Sequence, residues 1–305
     1  MRGPVLVGTD LTEAAAEALR AAAELARGLD SRLAVCHVMP ELSPAGAVFE
    51  EFRNANRHVR ESMSTRARAA VQAQLESVLG PAAADVDVVL ESGSPHAGLL
   101  RQAERSDAGV VVVWPGSTAV EVARHARTTV LVTRQSRSGP VVAATDFSDP
   151  ELPAVHAAAA EARRRGTSLH LLHALDIAPF AERRPPTAAI PYLQDKSWIA
   201  LEGLDQLRGL ATRRLADALQ ATGLPGDIVV VAGSAADVIV DYAETAGAAL
   251  VVVGTHGRGG LPLLMLGSTA TRVIEHASSS VLVVRLDPRG SSGTPGPLGD
   301  DQTAV

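Results

Sequence analysis

One stretch of this sequence combines residue types and spacing that suit it to binding an anion. An apolar run, Leu250-Val251-Val252-Val253, leads into Gly254-Thr255-His256-Gly257-Arg258, and nine intervening residues separate Gly257 from Gly267-Ser268-Thr269. Glycines permit positive φ and let backbone N–H groups approach a negative charge closely. A helix from about Thr269 to His276 adds unpaired donors and the positive end of its dipole. The chemistry implied is the holding of phosphates. Ser268 would supply a hydroxyl donor at that helix start, or serve only as an N-cap. His256 and Arg258 lie in the loop and could approach phosphate, Arg258 being favoured. Asp146 ends another apolar run, a place where aspartate is often just a turn or capping residue. His173 closes a third such run with no nucleophile beside it in sequence, which favours a packed or backbone-bonded imidazole over a catalytic base.

These residues need a scaffold, and the chain builds one twice. Val5-Leu6-Val7-Gly8-Thr9-Asp10 and Val141-Val142-Ala143-Ala144-Thr145-Asp146 are 136 residues apart, as are His37 and His173, each closing a short apolar run. Gly93-Ser94 and Gly233-Ser234, like Val110 and Leu250, are 140 apart. Gly116-Ser117 through Arg134 and Gly267-Ser268 through Arg285 are 151 apart. The last change of offset puts an eleven-residue shortfall between Val113 and Gly116. There the first half reads Trp114-Pro115-Gly116-Ser117. Trp114 stands in the place of Gly254, Pro115 has no N–H to offer an anion, and no counterpart of Gly257 remains. Gly116-Ser117 reads as a helix start alone.

Within each half, Val- and Leu-rich runs of four to six residues alternate with stretches of helical period, the pattern of βαβ units around a parallel sheet. The fold class expected is α/β, with two tandem five-stranded parallel-sheet domains and helices on both faces. A first helix starts at Thr12 and its partner near Ser148-Asp149-Pro150. An amphipathic helix covers Leu204 to Leu219. The expected boundaries are 1–135 for a domain without a nucleotide loop and 139–287 for one with it. A Gln-Ser-Arg-Ser-Gly linker covers 135–139, and residues 288–305 form a Gly-, Pro-, Ser- and Asp-rich tail expected to be disordered. Pairing of Val130–Val132 with Val281–Val284 would cover two strand edges and make an internal pseudo-dimer.

The order of strands, the two Thr-Asp pairs, the two closing histidines and the Gly254…Gly257…Gly267-Ser268 spacing resemble the universal stress protein family over residues 1–287. The resemblance implies a Rossmann-like, adenine nucleotide alpha hydrolase-like fold, dimer formation through the last strand and, with this signature present, ATP binding rather than a defined catalytic cycle. Carried across, Gly254, Gly257 and Gly267 match the glycines lining the triphosphate, and Ser268, with Thr269 beside it, matches the hydroxyl residue on it. Thr145-Asp146 match the first-strand pair near the nucleoside, and Ala174 the position whose main chain meets the base. Mg²⁺ would accompany ATP through phosphate oxygens.

Composition narrows the alternatives. Of the 305 residues 46% are apolar and only 3% aromatic, so the core must be built of Ala, Val and Leu. A formal charge of −6 gives no general attraction to nucleic acid or anionic lipid, and no apolar stretch is long enough to span a bilayer. With no signal-peptide pattern, a soluble cytoplasmic protein is expected. One cysteine, Cys36, excludes an intrachain disulfide, and its apolar setting suggests an inert buried thiol. No metal-ligand spacing, GxSxG or GxxxxGK[ST] loop occurs. The function expected is ATP binding at one site, in a stress-response or regulatory role with an unidentified protein partner. A slow ATPase or nucleotidyl-transfer enzyme using the same pocket, and a nucleotide-independent interaction module, stay open. Homodimerisation of the whole chain is open as well.

Overall fold

A computed structural model describes residues 3–41, 50–175, 197–255 and 266–285. The first half runs β1 (Val5–Thr9), α1 (Glu13–Gly28), β2 (Leu33–Met39), α2 (Glu50–Leu79), β3 (Asp87–Ser92), α3 (Pro95–Arg105), β4 (Val110–Val113), α4 (Ser117–His125) and β5 (Thr129–Val132). The second repeats it as β6 (Val141–Ala144), α5 (Pro153–Arg165), β7 (Leu169–Leu175), α6 (Ser197–Thr222), β8 (Ile228–Ala232), α7 (Ala235–Thr245), β9 (Leu250–Gly254), α8 (Ser268–His276) and β10 (Ser280–Val284).

The ten strands form one sheet in the order β3-β2-β1-β4-β5-β10-β9-β6-β7-β8. Pairing is parallel within each half and antiparallel at the centre, where Val132, Leu131 and Val130 face Val281, Leu282 and Val283. The expected pseudo-dimer strand pair is therefore present. It removes two open edges at once.

Why the strands read as unbroken apolar runs is now visible. Successive side chains point to opposite faces, and both faces are covered. Val5, Val7, Val110, Val112, Leu250, Val252 and Leu282 enter one apolar layer with α1, α2, α5 and α6. Leu6, Val111, Val113, Val251, Val253 and Val281 enter the other with α3, α4, α7 and α8. Each layer is continuous through both halves. At about 1.5–3 kcal/mol for each buried Val or Leu side chain, these layers are the main force holding the two repeats together. Ala-rich faces such as Ala15, Ala18 and Ala22 of α1 let the helix lie close on the sheet.

One expectation fails. The helix of the second half does not begin near Ser148-Asp149-Pro150 but at Pro153, after Leu152 in a left-handed conformation (φ 47°). The side chains of Asp146 and Asp149 each accept a backbone N–H two residues on, Ser148 and Glu151, and these local turns outcompete helix at that point. Pro153, not Pro150, is the proline that helix initiation uses. In the first half Thr12 caps α1 as expected, its hydroxyl accepting the Ala15 N–H at 3.3 Å. The 288–305 tail lies outside the described residues.

Candidate functional site

Strand order reverses between β6 and β9: the chain leaves β6 outward through β7 and β8, then returns to β9 and β10. In an open parallel sheet such a point leaves a crevice at the carboxyl ends of the two strands, where helices depart to opposite faces. Thr145 and Asp146 follow β6, Gly254 ends β9, and the register aligns Ala144 with Leu172, two residues before Ala174 in β7. Helix α8 starts above the same edge. The crevice and its rim thus bring together Thr145, Asp146, Ala174, Gly254 and Gly267, with Ser268 and Thr269 in the first turn of α8. Gly257 and Arg258, with His256, lie outside the described residues.

The loop's base is closed by a Gly267 N–H donated to the Thr255 carbonyl at 2.9 Å, and the Gly267 carbonyl accepts from Thr271 at 3.0 Å. Gly267 is the N-cap and Ser268 the first helical residue, so α8 begins one residue before the expected Thr269. The alternative of Ser268 as N-cap is thereby set aside. Its side chain is exposed, and the first N–H groups of a helix have no carbonyl within the helix to accept them. Ala144, Ala174 and Gly254 put nothing larger than a methyl group on this edge.

The turn after β6 is tightly held. Asp146 Oδ1 accepts both the N–H and the hydroxyl of Ser148, at 3.0 and 2.6 Å, and the Thr145 hydroxyl accepts the Phe147 N–H. Phe147 is left-handed (φ 60°), with its ring 4.7 Å from that of buried His173 and 4.5 Å from the guanidinium carbon of Arg214 on α6. The nitrogen His173 Nδ1 stands 2.7 Å from the Thr145 carbonyl, which can only accept, so it carries the proton. The reading of His173 as a backbone-bonded histidine holds. Sequence reasoning did not place Phe147 or Arg214 at this edge; Leu11, the repeat counterpart of Phe147, is left-handed too (φ 69°).

The corresponding edge of the first half keeps the turn and fills the crevice. Asp10 Oδ1 accepts from the N–H and hydroxyl of Thr12, and His37 Nδ1 donates to the Thr9 carbonyl at 2.8 Å. On α2, Gln74 accepts from the Thr9 hydroxyl and donates to the Thr12 carbonyl. Trp114 packs its ring toward Gly8, the counterpart of Ala144. The chain then enters α4 through Gly116 at φ 147°, where Gly267 has φ −63°. The two glycines thus lead into their helices by different backbone conformations.

Elsewhere, burial pushes the Cys36 thiol up to about 12, Glu91 adding to the effect, which makes it inert. Among the described residues no group of three or more His, Cys, Asp or Glu side chains is placed to hold a metal ion, and no helix is long and apolar enough to cross a membrane.

The profile of the universal stress protein family matches the chain twice, over residues 1–134 and 138–285. A universal stress protein of Methanocaldococcus jannaschii is 31% identical over 146 residues, covering 48% of this chain and 81% of that protein. One of Mycobacterium tuberculosis is 34% identical over 192 residues, covering 60% of this chain and 57% of its own length, so the chain spans little more than half of that relative. The crystal structure of a universal stress protein from Archaeoglobus fulgidus superposes with a TM-score of 0.59 at 17% identity, over 93% of this chain and 96% of that one. That likeness is one of fold.

Proposed function

This chain belongs to the universal stress protein family, and we propose that it is an ATP-binding member with a single nucleotide site, in the second half. The observation that carries the reading is the contrast between the two switch points. Ala144 and Gly254 leave the β6–β9 crevice lined by small residues, whereas the counterpart of Gly254 is Trp114, directed onto Gly8. Gly254 and Gly267 would let backbone donors approach the triphosphate. Ser268 and Thr269 would add the first-turn donors of α8, with Gly257 and Arg258 supplied by the loop between. Thr145, Asp146 and Ala174 would face the nucleoside. Mg²⁺ would ride on phosphate oxygens rather than in a protein cage.

Binding is favoured over turnover because, among the described residues of this edge, His173 is buried, with its ring against Phe147 and Nδ1 donated to the Thr145 carbonyl. The output is then regulatory: occupancy of the site is the signal, in the stress-response role the family name denotes. Isothermal titration of the full chain with MgATP should give one micromolar-class site, and Gly254→Trp should abolish it. Equal binding by the two proteins would remove the site assignment. Steady ADP release by the parental chain, lost in Asp146→Ala, would replace a binding protein with a slow ATPase.

A further inference from the structure

Two arginines cross the central seam. Arg134, just after β5, donates from Nη2 to the carbonyls of Ile274 at 2.8 Å and Glu275 at 3.5 Å, in the last turn of α8. Arg285, just after β10, donates from Nη2 to the carbonyls of Ala123 at 2.9 Å and Arg124 at 2.8 Å, in the last turn of α4. Donors and acceptors are all related by the same 151-residue repeat, so each half caps a helix of the other. The Arg134 backbone N–H also bonds the Ser280 hydroxyl at 2.9 Å. Burial lowers the pKa of both guanidiniums, a cost that their charge-assisted bonds to carbonyls at the negative end of a helix dipole must offset.

The two clasps are alike, but the helices they hold are not. Helix α4 begins at Gly116 beside the Trp114 plug, whereas α8 begins at Gly267-Ser268, held to the end of β9 by the Gly267 N–H on the Thr255 carbonyl. A helix of nine residues is a stiff rod about 13 Å long, so a shift at one end is transmitted to the other. We propose that Arg134, a residue of the first half, is a positioning residue for the nucleotide site of the second half, fixing α8 so that its first turn meets the phosphates. The inference rests on the nucleotide reading above. In this arrangement the first half binds no nucleotide itself but sets the affinity of the half that does. Conversely, a bound triphosphate would stabilise the seam, because coupling between two sites is reciprocal.

The pseudo-symmetry supplies the control. Arg134→Gln and Arg285→Gln each break one seam clasp of the same kind, and a purely structural role would give them the same effect on ATP. The expected result, by titration calorimetry of the full chain with MgATP, is binding about tenfold weaker in Arg134→Gln, unchanged binding in Arg285→Gln, and similar falls in melting temperature. Arg134→Lys, which keeps a cation at the helix end, should recover most of the affinity. Equal weakening in both glutamine variants, or none in Arg134→Gln, would overturn the proposal while leaving the nucleotide site standing. A parental chain that does not bind ATP would overturn both. Should Arg134→Gln fail to fold, Arg134→Lys against Arg285→Lys decides: a larger loss of affinity at 134 supports the proposal and an equal one sinks it.

Discussion

The ring of Trp114 is directed onto the backbone of Gly8: a methyl group added at Gly8 would stand 3.5 Å from Trp114 Cζ3 and 3.0 Å from Leu99 Cδ1. Glycine at position 8, where the other half has Ala144, makes room for Leu99, and the Trp114 ring lies just beyond at contact distance. Removing the ring should leave a void that the sheet cannot close. Trp114→Gly is expected to lower stability by about 2–3 kcal/mol, less than for a fully enclosed ring because Trp114 is only partly buried. It should not create a second nucleotide site, since the loop stays eleven residues short and Pro115 still lacks its N–H. Urea unfolding and ATP titration together check both parts.

Leu11 and Phe147 occupy the same left-handed turn position, at φ 69° and 60°, and the Phe147 ring has an aromatic and a cationic neighbour. Leu11 is exposed, so Leu11→Gly mainly relieves backbone strain and should raise stability by about 0.5–1 kcal/mol. Phe147→Gly gains the same relief but loses its contacts with His173 and Arg214, and should be net destabilising by about 1–2 kcal/mol. Opposite signs in thermal unfolding are the expected outcome. Stabilisation by both would show that the stack does nothing for the turn.

Much of this architecture was legible because it rests on properties that sequence carries locally. Runs such as Val110–Val113 announce a strand covered on both faces, and the repeat of Thr-Asp and His positions fixes the strand order of one half from the other. The pairing of Val130–Val132 with Val281–Val284 is expected from the same repeat, and it forms over Val281–Val283. The start of α5 lies beyond the Ser148-Asp149-Pro150 signal because the Asp149 side chain takes the Glu151 N–H of a turn instead. The seam arginines escaped notice for a different reason: Arg134 and Arg285 bond to carbonyls, and a carbonyl has no residue identity to recognise. Arg214 could not be placed over Phe147 without knowing how α6 lies on the sheet.

Glu161 on α5 is buried beneath Arg164 and Arg165, with carboxylate-to-guanidinium distances of 2.7 and 3.1 Å. Burial alone would raise its pKa, but the hydrogen bonds and charges of the two arginines outweigh it and hold the carboxyl below the ordinary range. A depressed pKa contributes stability that is present above the unfolded carboxylate pKa and is lost as pH falls through the folded one. Glu161→Gln should therefore cost about 1–3 kcal/mol at neutral pH. The gap to the parental protein should narrow steadily as pH drops below the ordinary carboxylate value. A gap that stays constant down to strongly acidic pH would mean that the ion pair contributes nothing through charge.

Leu131 of β5 faces Leu282 of β10 at the centre of the antiparallel seam, and both lie in the apolar layer that runs through the two halves. Among the described strands this is the pair through which the halves share a sheet, so it should be what makes them unfold as one unit. A carboxylate at position 131 would have to be desolvated within that apolar layer, at a cost of several kcal/mol, and the seam can avoid that cost by opening. The sequence has two tryptophans, Trp114 and Trp198, so a Trp198→Phe background leaves Trp114 as the single indole reporter. In that background, urea transitions followed by Trp114 fluorescence and by far-ultraviolet circular dichroism should coincide. With Leu131→Asp added they should separate, because Trp114 reports the first half alone while dichroism reports both. Leu131→Ala, which leaves a cavity but no charge, should lower the common midpoint by an amount equivalent to about 2–4 kcal/mol without separating the two signals. If the aspartate variant still unfolds in a single coincident step, the halves are joined by their helices, the arginine clasps included, more than by the strand pair.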